Sequence, residues 1–399
     1  MKPDFFIDMD YRSANHIGEE LCGDKVEMVT TDHSHILILA DGMGSGVKAN
    51  IFSTLTSKIL ATMFREGATI DEALEAILST LPICSERHVA YCTFTVLVVN
   101  DDNSAYLVEY DNPDTILIRD GKSTELPRVS RTIQDKTIKE SRFTVQDGDV
   151  YVMTSDGCIW CSPDQTMNFK WNRDSNAEIV RRSARMAPYA KRISYELVQE
   201  CIDEYAGRPA DDTTAACMRI STPLTLRIMT GPPVHKEDDE RIVKDLMALD
   251  ENGNECYKIV CGGTTAKIVS RILKHPIESV KQMKLKDVPP YDYIEDIDLV
   301  TEGILTINKA LSFLDPLIYH RDELDDTAFF DLDDDNGPAL LATALLENCS
   351  HLELLVGQAI NEAYEEMGIN TDLALRHDLV KRLAQFAKDL GKTVTIKYY

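Results

Sequence analysis

Short apolar runs, several of them closed by an acid, mark the first half of this chain. Ile36-Leu37-Ile38-Leu39-Ala40 reads as a buried strand, because five successive apolar residues leave no polar side. The runs 26–30, 150–155 and 215–220 have the same character. Residues 93–99, 105–110, 115–118 and 143–145 add further strands, with Gly121-Lys122 and Asp147-Gly148 marking turns. Helical spacing governs 46–64, 70–78, 177–186 and 193–205. Strands and helices without strict βαβ alternation fit an α+β class.

The second half has another rhythm. Ser221-Thr222-Pro223 opens a boundary, followed by a strand at 224–229 and a helix at 238–249. A strand at 257–261 runs through Gly262-Gly263-Thr264-Thr265 into a helix at 266–273. A helix at 304–313, a strand at 352–356, a helix at 373–390 and a strand at 393–397 complete a smaller α/β domain. The expected domains are therefore 1–220 and 224–399, each within the usual domain size.

Four acids stand at strand ends of the first half. Asp41 closes the run 36–40 and begins Asp41-Gly42-Met43-Gly44-Ser45-Gly46. Asp24 follows Gly23 and precedes a strand. Asp156-Gly157 closes another strand, and Asp211-Asp212-Thr213-Thr214 precedes the last one. One acid beside a glycine is ordinary turn chemistry. Four at strand ends can converge at one end of a sheet, where hard divalent cations take carboxylate oxygens and water. Two such ions about 3.5–4 Å apart activate a water and neutralise a phosphoryl group together.

Residues 1–220 resemble the metal-dependent serine/threonine protein phosphatases of the type-2C group, in particular the bacterial branch typified by the stage II sporulation protein E phosphatase. The pieces that carry the resemblance are Cys22-Gly23-Asp24, Ala40-Asp41-Gly42-Met43-Gly44-Ser45-Gly46, Thr154-Ser155-Asp156-Gly157 and Ala210-Asp211-Asp212-Thr213-Thr214, in family order. The resemblance implies a phosphatase-type α/β/β/α four-layer sandwich, two antiparallel sheets flanked by helices, with a site for two Mn2+ or Mg2+ ions. It implies metal ligation by Asp24, Asp41, Gly42 through its carbonyl, Asp156 and Asp211, with Asp41 bridging both ions. Asp41 and Asp156 are the residues expected to carry catalysis. Asp211 rather than Asp212 takes the first position of its motif. Arg12 is not assigned, because the bacterial branch generally lacks the phosphate-gripping arginine of other members. The implied activity is hydrolysis of phosphoserine or phosphothreonine by a water that the two ions activate, without a phosphoenzyme. The implied partner is a phosphorylated regulatory protein, and relatives often switch by dimerisation, so a homodimer is expected.

Charge and cysteine usage narrow the class. A net charge of −25 argues against nucleic acid and against anionic membrane surfaces. No stretch approaches the roughly 20 apolar residues of a membrane span, and the first residues lack a signal-peptide core. Ten scattered cysteines suit reduced thiols in a cytoplasm. Cys158-Ile159-Trp160-Cys161 has metal or redox spacing, but no second such pair follows. Cys256 and Cys261 complete a thiolate set only if the two domains meet. The ordinary reading is two small buried residues near a helix start.

Two further motifs carry ordinary readings too. Gly262-Gly263-Thr264-Thr265 offers backbone amides to an anion. Its plainer reading is a tight turn with Thr264 or Thr265 as N-cap. The acid run 322–335 departs from a calcium loop at Asn336 and Ala342 and reads as a solvated loop. Two other functions compete with the phosphatase: a phosphoprotein-binding scaffold, and a redox- or metal-responsive sensor with secondary phosphatase output. Intact acids at every matched position favour the enzyme.

Overall fold

The computed structural model describes residues 5–80, 92–133, 136–162, 168, 170–280, 290–320, 324, 327, 329–359 and 371–399. The chain divides into two compact units, Met1–Thr222 and Pro223–Tyr399. Among the described residues no helix is long and apolar enough to cross a membrane.

The first unit begins with strands β1 (Phe6–Ala14), β2 (Asp24–Thr30) and β3 (Ser34–Gly42), then helices α1 (Gly46–Arg65) and α2 (Ile70–Thr80). Seven strands follow: β4 (Cys92–Asn100), β5 (Ser104–Tyr110), β6 (Ile116–Arg119), β7 (Lys122–Thr124), β8 (Val129–Ile133), β9 (Lys136–Thr144) and β10 (Val150–Thr154). Helices α3 (Arg173–Met186) and α4 (Ala190–Glu204) and strand β11 (Thr213–Ser221) close the unit. The strands form two antiparallel sheets, ordered β1-β11-β10-β6-β7 and β2-β3-β4-β5-β9-β8.

The unbroken apolar run of β3 is explained by its two buried faces. Ile36, Ile38 and Ala40 pack against Leu60, Ala61, Ala73 and Leu74 of α1 and α2. Leu37 and Leu39 alternate to the other side, against Leu117, Tyr151, Met153 and Met218 of the second sheet. That sheet repeats the arrangement. Val150 and Val152 meet Ala177, Val180, Ile193 and Leu197 of α3 and α4, while Tyr151 and Met153 face inward. The layers therefore run helix, sheet, sheet, helix, the four-layer sandwich that the resemblance implies.

Strand β1 is absent from the sequence reading. It pairs with β11 along its whole length, from Phe6 opposite Ser221 to Ala14 opposite Thr213. Ile7, Met9 and Tyr11 alternate toward the core between the sheets, while Asp8 and Asp10 serve α4: Asp8 accepts the Ala190 amide at 2.7 Å, and Asp10 pairs with Lys191 at 2.8 Å. Helix α3 starts at Arg173 rather than 177, where Asn172 and Ser175 form a capping box.

The second unit runs β12 (Thr225–Thr230), α5 (Asp239–Met247), β13 (Tyr257–Cys261), α6 (Gly263–Leu273), β14 (Glu278–Ser279), β15 (Tyr291–Ile294) and β16 (Ile297–Thr301). It continues with α7 (Ile304–Tyr319), α8 (Gly337–Glu347), β17 (His351–Val356), α9 (Thr371–Asp389) and β18 (Thr393–Tyr398). Its sheet is ordered β14-β15-β16-β13-β12-β17-β18. The five strands from β16 to β18 are parallel, and β15 and β14 add an antiparallel edge. This is an α/β unit. Helix α7 runs past residue 313 and carries Pro316 inside it.

One sequence expectation changes here, and a second gains detail. The N-cap of α6 is Gly262, at φ 116°, so neither Thr264 nor Thr265 caps that helix. The end of the acid run leads through the 3₁₀ turn Phe330–Leu332 into α8, where Asn336 is the N-cap and accepts the Ala339 amide at 3.0 Å. Positions 322, 323, 325, 326 and 328 of that run lie outside the described residues.

Candidate functional site

Two sheet ends supply the acids. On the first, β2 and β3 pair so that Asp24 stands opposite Asp41. Asp41 in turn lies opposite Thr93 of β4. Gly42 follows where α1 folds back, and a side chain there would overlap the Ala49 carbonyl oxygen. On the second sheet, β10 delivers Asp156 just beyond its end, and β11 begins just after Asp211 and Asp212.

Backbone stitching fixes these second-sheet loops to each other. The Ser155 amide donates to the Thr214 carbonyl at 3.0 Å, and the Thr214 amide donates to the Ser155 hydroxyl at 2.9 Å. The Tyr205 hydroxyl donates to the Gly157 carbonyl at 2.8 Å. A Cβ on Gly157 would overlap the Asp212 carbonyl oxygen, so the two loops are in backbone contact.

Asp41, Gly42, Asp156 and Asp211 share one cleft of about 960 Å³. Asp24 does not line it. It is buried beside Asp41, within reach of the Ser155 and Thr214 hydroxyls. Asp212 is buried as well, and its Oδ1 accepts the His16 amide at 3.0 Å. The fold thus brings together three of the four sequence-selected acids on the cleft and keeps the fourth just behind it. Arg12 lies elsewhere, with its guanidinium 5.3 Å over the Tyr195 ring.

The acids hold one another's protons. Burial, then the charges of Asp24, Asp156 and Asp211, push the Asp41 carboxyl well above its ordinary range. Burial raises Asp24 to about 7, against hydrogen bonds from Thr214 and Ser155 and with Asp212 adding to it. Desolvation and Asp156 raise Asp211 to about 6. Desolvation in the cleft and the neighbouring Asp111 raise Asp156, opposed by the Gly157 amide. Burial is the main cause in all four, and neighbouring carboxylates add to it.

The donor set suits a hard divalent cation, since every group is an oxygen. Two buried carboxylate oxygens, Oδ2 of Asp24 and Oδ2 of Asp212, have no hydrogen-bond partner. A buried acceptor left unpaired is costly unless something positive meets it. Among the described residues no three His, Cys, Asp or Glu side chains already enclose a point where an ion would sit.

Sequence reasoning missed Asp111. It follows β5 in a left-handed conformation, φ 52°, and lines the cleft facing Asp156. Its signal was present, an acid just past a strand, but Asn112 rather than glycine follows it. Its loop is held firmly. Arg128 pairs with buried Glu109 at 2.6 Å, and Glu109 accepts the Thr115 amide at 2.6 Å. Arg173 donates to the carbonyls of Asp114 and Thr115 at 3.0 and 3.1 Å, and Lys139 pairs with Asp114 at 2.6 Å.

Cys158 and Cys161 are buried in the core behind Gly157 together with Cys201. The Cys158 thiol donates to the Thr214 carbonyl at 3.3 Å, and the Cys161 thiol to the Gly157 carbonyl at 3.1 Å. Cys256 and Cys261 are buried within the second unit, near Ala248 and Thr301 respectively. All cysteines among the described residues are free thiols.

A two-sheet sandwich with clustered carboxylates at one end defines the class. The family model described as stage II sporulation protein E matches residues 31–221. Over these residues the first unit is similar to stage II sporulation protein E. No curated protein matches the sequence significantly. Among solved structures, the phosphatase domain with a fragment of the regulatory domain of SpoIIE from Bacillus subtilis is 20% identical, with TM-score 0.45. That match covers 54% of this chain and 64% of that one. The RsbU and RsbW domains of a Mycobacterium tuberculosis protein are 16% identical over 61% of this chain and 70% of that one, with TM-score 0.47. The catalytic domain of the serine/threonine phosphatase PstP, in complex with two manganese ions, is 16% identical over 54% of this chain and 100% of that one, with TM-score 0.37.

Proposed function

We propose that the first unit is a metal-dependent protein-serine/threonine phosphatase, hydrolysing phosphoserine or phosphothreonine on a regulatory protein with two Mn2+ or Mg2+ ions. One observation carries this reading. Asp41, Gly42, Asp156 and Asp211, from distant parts of the chain, line a single cleft, with Asp24 paired in register against Asp41. The match of residues 31–221 to the sporulation phosphatase family model supports it.

In this reading Asp24, Asp41, Gly42, Asp156 and Asp211 hold the ions. When bound, two divalent cations supply acidification of a water and neutralisation of phosphoryl charge. The chain supplies the frame. Asp41 and Asp156 present carboxylates from opposite sheets across the cleft. The backbone contact at Gly157 keeps Asp156 and Asp211 at a fixed separation. Without cations the same carboxylates repel a phosphate dianion, so substrate binding needs the ions as much as turnover does. Lys139 and Arg173 line the cleft while bound to the Asp114–Thr115 segment, so their part is to brace its wall.

The free thiols support a reducing, cytoplasmic setting. The second unit, with a core of its own, is assigned a regulatory role and the whole chain a homodimeric state. The decisive experiment is phosphate release from a phosphothreonine peptide with Mn2+, with Mg2+ and with chelator. Turnover that needs a divalent ion is the expected result. Turnover persisting in chelator, or in Asp41→Ala protein, refutes the reading. Identical turnover and identical control in a protein ending at residue 222 would count against regulation by the second unit.

A further inference from the structure

Three of the cleft's lining residues are apolar and follow directly on the acid motifs: Met43 after Asp41-Gly42, and Ile159 and Trp160 after Asp156-Gly157. Trp160 is 68% exposed. Its backbone is far from loose. The Trp160 and Ile159 amides donate to the Asp156 carbonyl at 3.1 and 2.8 Å. The flanking Cys158 and Cys161 are fully buried. The Cys158 carbonyl is held from behind by the Trp171 indole N–H at 2.8 Å and the Asn176 amide at 2.9 Å. A large indole is therefore presented to solvent from an anchored turn, one helical turn beyond Asp156.

We propose that Trp160 determines substrate specificity by taking a bulky apolar side chain next to the phosphorylated residue. The inference rests on the phosphatase reading and names its substrate class: phosphopeptides with Leu, Ile or Phe beside the phosphoserine or phosphothreonine. One turn of helix rises about 5.4 Å, and neighbouring residues of an extended peptide are about 3.3–3.6 Å apart along the chain. A peptide whose phosphate reaches the acids therefore carries its adjacent side chain past the indole. An acidic neighbour meets Asp111, a carboxylate of the cleft that is not assigned to the ions. Met43 and Ile159 line the same cleft and favour an apolar occupant. Aromatic side chains supply large contact area at low entropic cost, which is why they anchor recognition sites.

The test uses the full chain with Mn2+ and three phosphothreonine peptides that differ only in the flanking residues: Leu, Gly or Lys. The Leu peptide is expected to exceed the Gly peptide about tenfold in kcat/KM, the step that about 1.4 kcal/mol of binding gives. Trp160→Ala brings that ratio to about one, with the loss in KM rather than kcat, and Trp160→Phe restores most of it. With Trp160→Phe protein as the reference for the Trp171 signal, a non-hydrolysable Leu-flanked phosphonate peptide is expected to shield the Trp160 fluorescence of wild-type protein from acrylamide. Equal turnover of the peptides, preference for Lys, or undiminished quenching overturns the inference and leaves the phosphatase reading standing. An equal proportional loss on all peptides in Trp160→Ala does the same. A wild-type protein inert on every phosphomonoester removes the phosphatase reading and the inference with it.

Discussion

Asp24 and Asp41 stand directly opposite each other across the β2–β3 ladder. Directly opposed residues of antiparallel strands hold their Cβ atoms about 4.5–5.5 Å apart on one face, where like charges destabilise the pair. Asp24 is buried and Asp41 half-buried, so water does little to screen them. The pair therefore works against the fold and in favour of anything positive that enters the cleft.

Asp41→Asn separates these two effects. Removing one of the opposed charges is expected to raise the melting temperature of metal-free protein. Metal-dependent phosphate release is expected to fall at least about a hundredfold, the order that losing one charge-stabilising group in an active site costs. Thermal denaturation in chelator and a phosphate-release assay read the two effects. A fall in both would make Asp41 a structural residue.

The same cluster sets a pH dependence. Asp24 and Asp211 have folded-state values raised to about 7 and about 6, against an unfolded value of about 3.9. A carboxyl raised on folding stabilises the protein fully below its unfolded value. That contribution is lost as pH rises through the folded value. Metal-free protein should therefore lose stability between about pH 4 and pH 7. Carboxylates lowered by partners, such as Asp114 beside Lys139, act with the opposite sign at the acid end. Urea denaturation in chelator across this range measures the slope, and Asp24→Asn should flatten it. A wild-type midpoint that climbs from pH 5 to pH 7.5 would show that these carboxyls are not elevated.

Much of this was legible in the sequence because the sandwich buries both faces of its central strands. Unbroken apolar runs such as 36–40 and 150–153 therefore stand out, and the acids that follow them are conspicuous. Strand β1 carried a different signal, the alternation of Ile7, Met9 and Tyr11 with Asp8, Asp10 and Arg12, which does not stand out as an unbroken apolar run does. Helix α8 was missed because Gly337-Pro338 reads as a turn, whereas Pro suits the first turn of a helix capped by Asn336. Asp111 lies in none of the four motifs that carry the resemblance, and its left-handed backbone is adopted without a glycine to mark the turn. The burial of Asp24 and Asp212 behind the cleft depends on how the two sheets stack, which local pattern does not carry.

Gly157 tests how the two second-sheet loops are joined. The hydrogen atom where a Cβ would be faces the Asp212 carbonyl oxygen, and backbone cannot step aside as a flexible side chain does. Gly157→Ala is expected to cost about 1–3 kcal/mol, the usual range for overpacking. It should also shift Asp156 relative to Asp211, so activity falls further than stability alone explains. Activity measured well below the variant's melting temperature makes the comparison. A variant as stable and as active as wild type would mean that the loops are free to separate.

The wall that carries Asp111 rests on a buried ion pair. Glu109 is 1% exposed, and it accepts from both Arg128 and the Thr115 amide. Arg128 also donates to the Thr115 carbonyl at 3.1 Å, so the pair clamps both backbone groups of that residue. Arg128→Met leaves the Glu109 charge buried without its main counter-ion, and removing one partner of a buried pair costs about 3–5 kcal/mol. The double variant Arg128→Met, Glu109→Leu removes the stranded charge and should regain a large part of that loss, because apolar replacements of buried pairs are often neutral. It does not restore the clamp on Thr115. Its stability should therefore recover more than its KM for a phosphopeptide, since the 111–115 segment has lost its anchor. Urea denaturation of the single and double variants gives the first comparison and steady-state kinetics the second. A single variant within about 1 kcal/mol of wild type would mean that solvent already screens the pair, as it does for surface ion pairs, and that the Asp111 wall is held by Arg173 and Lys139 instead.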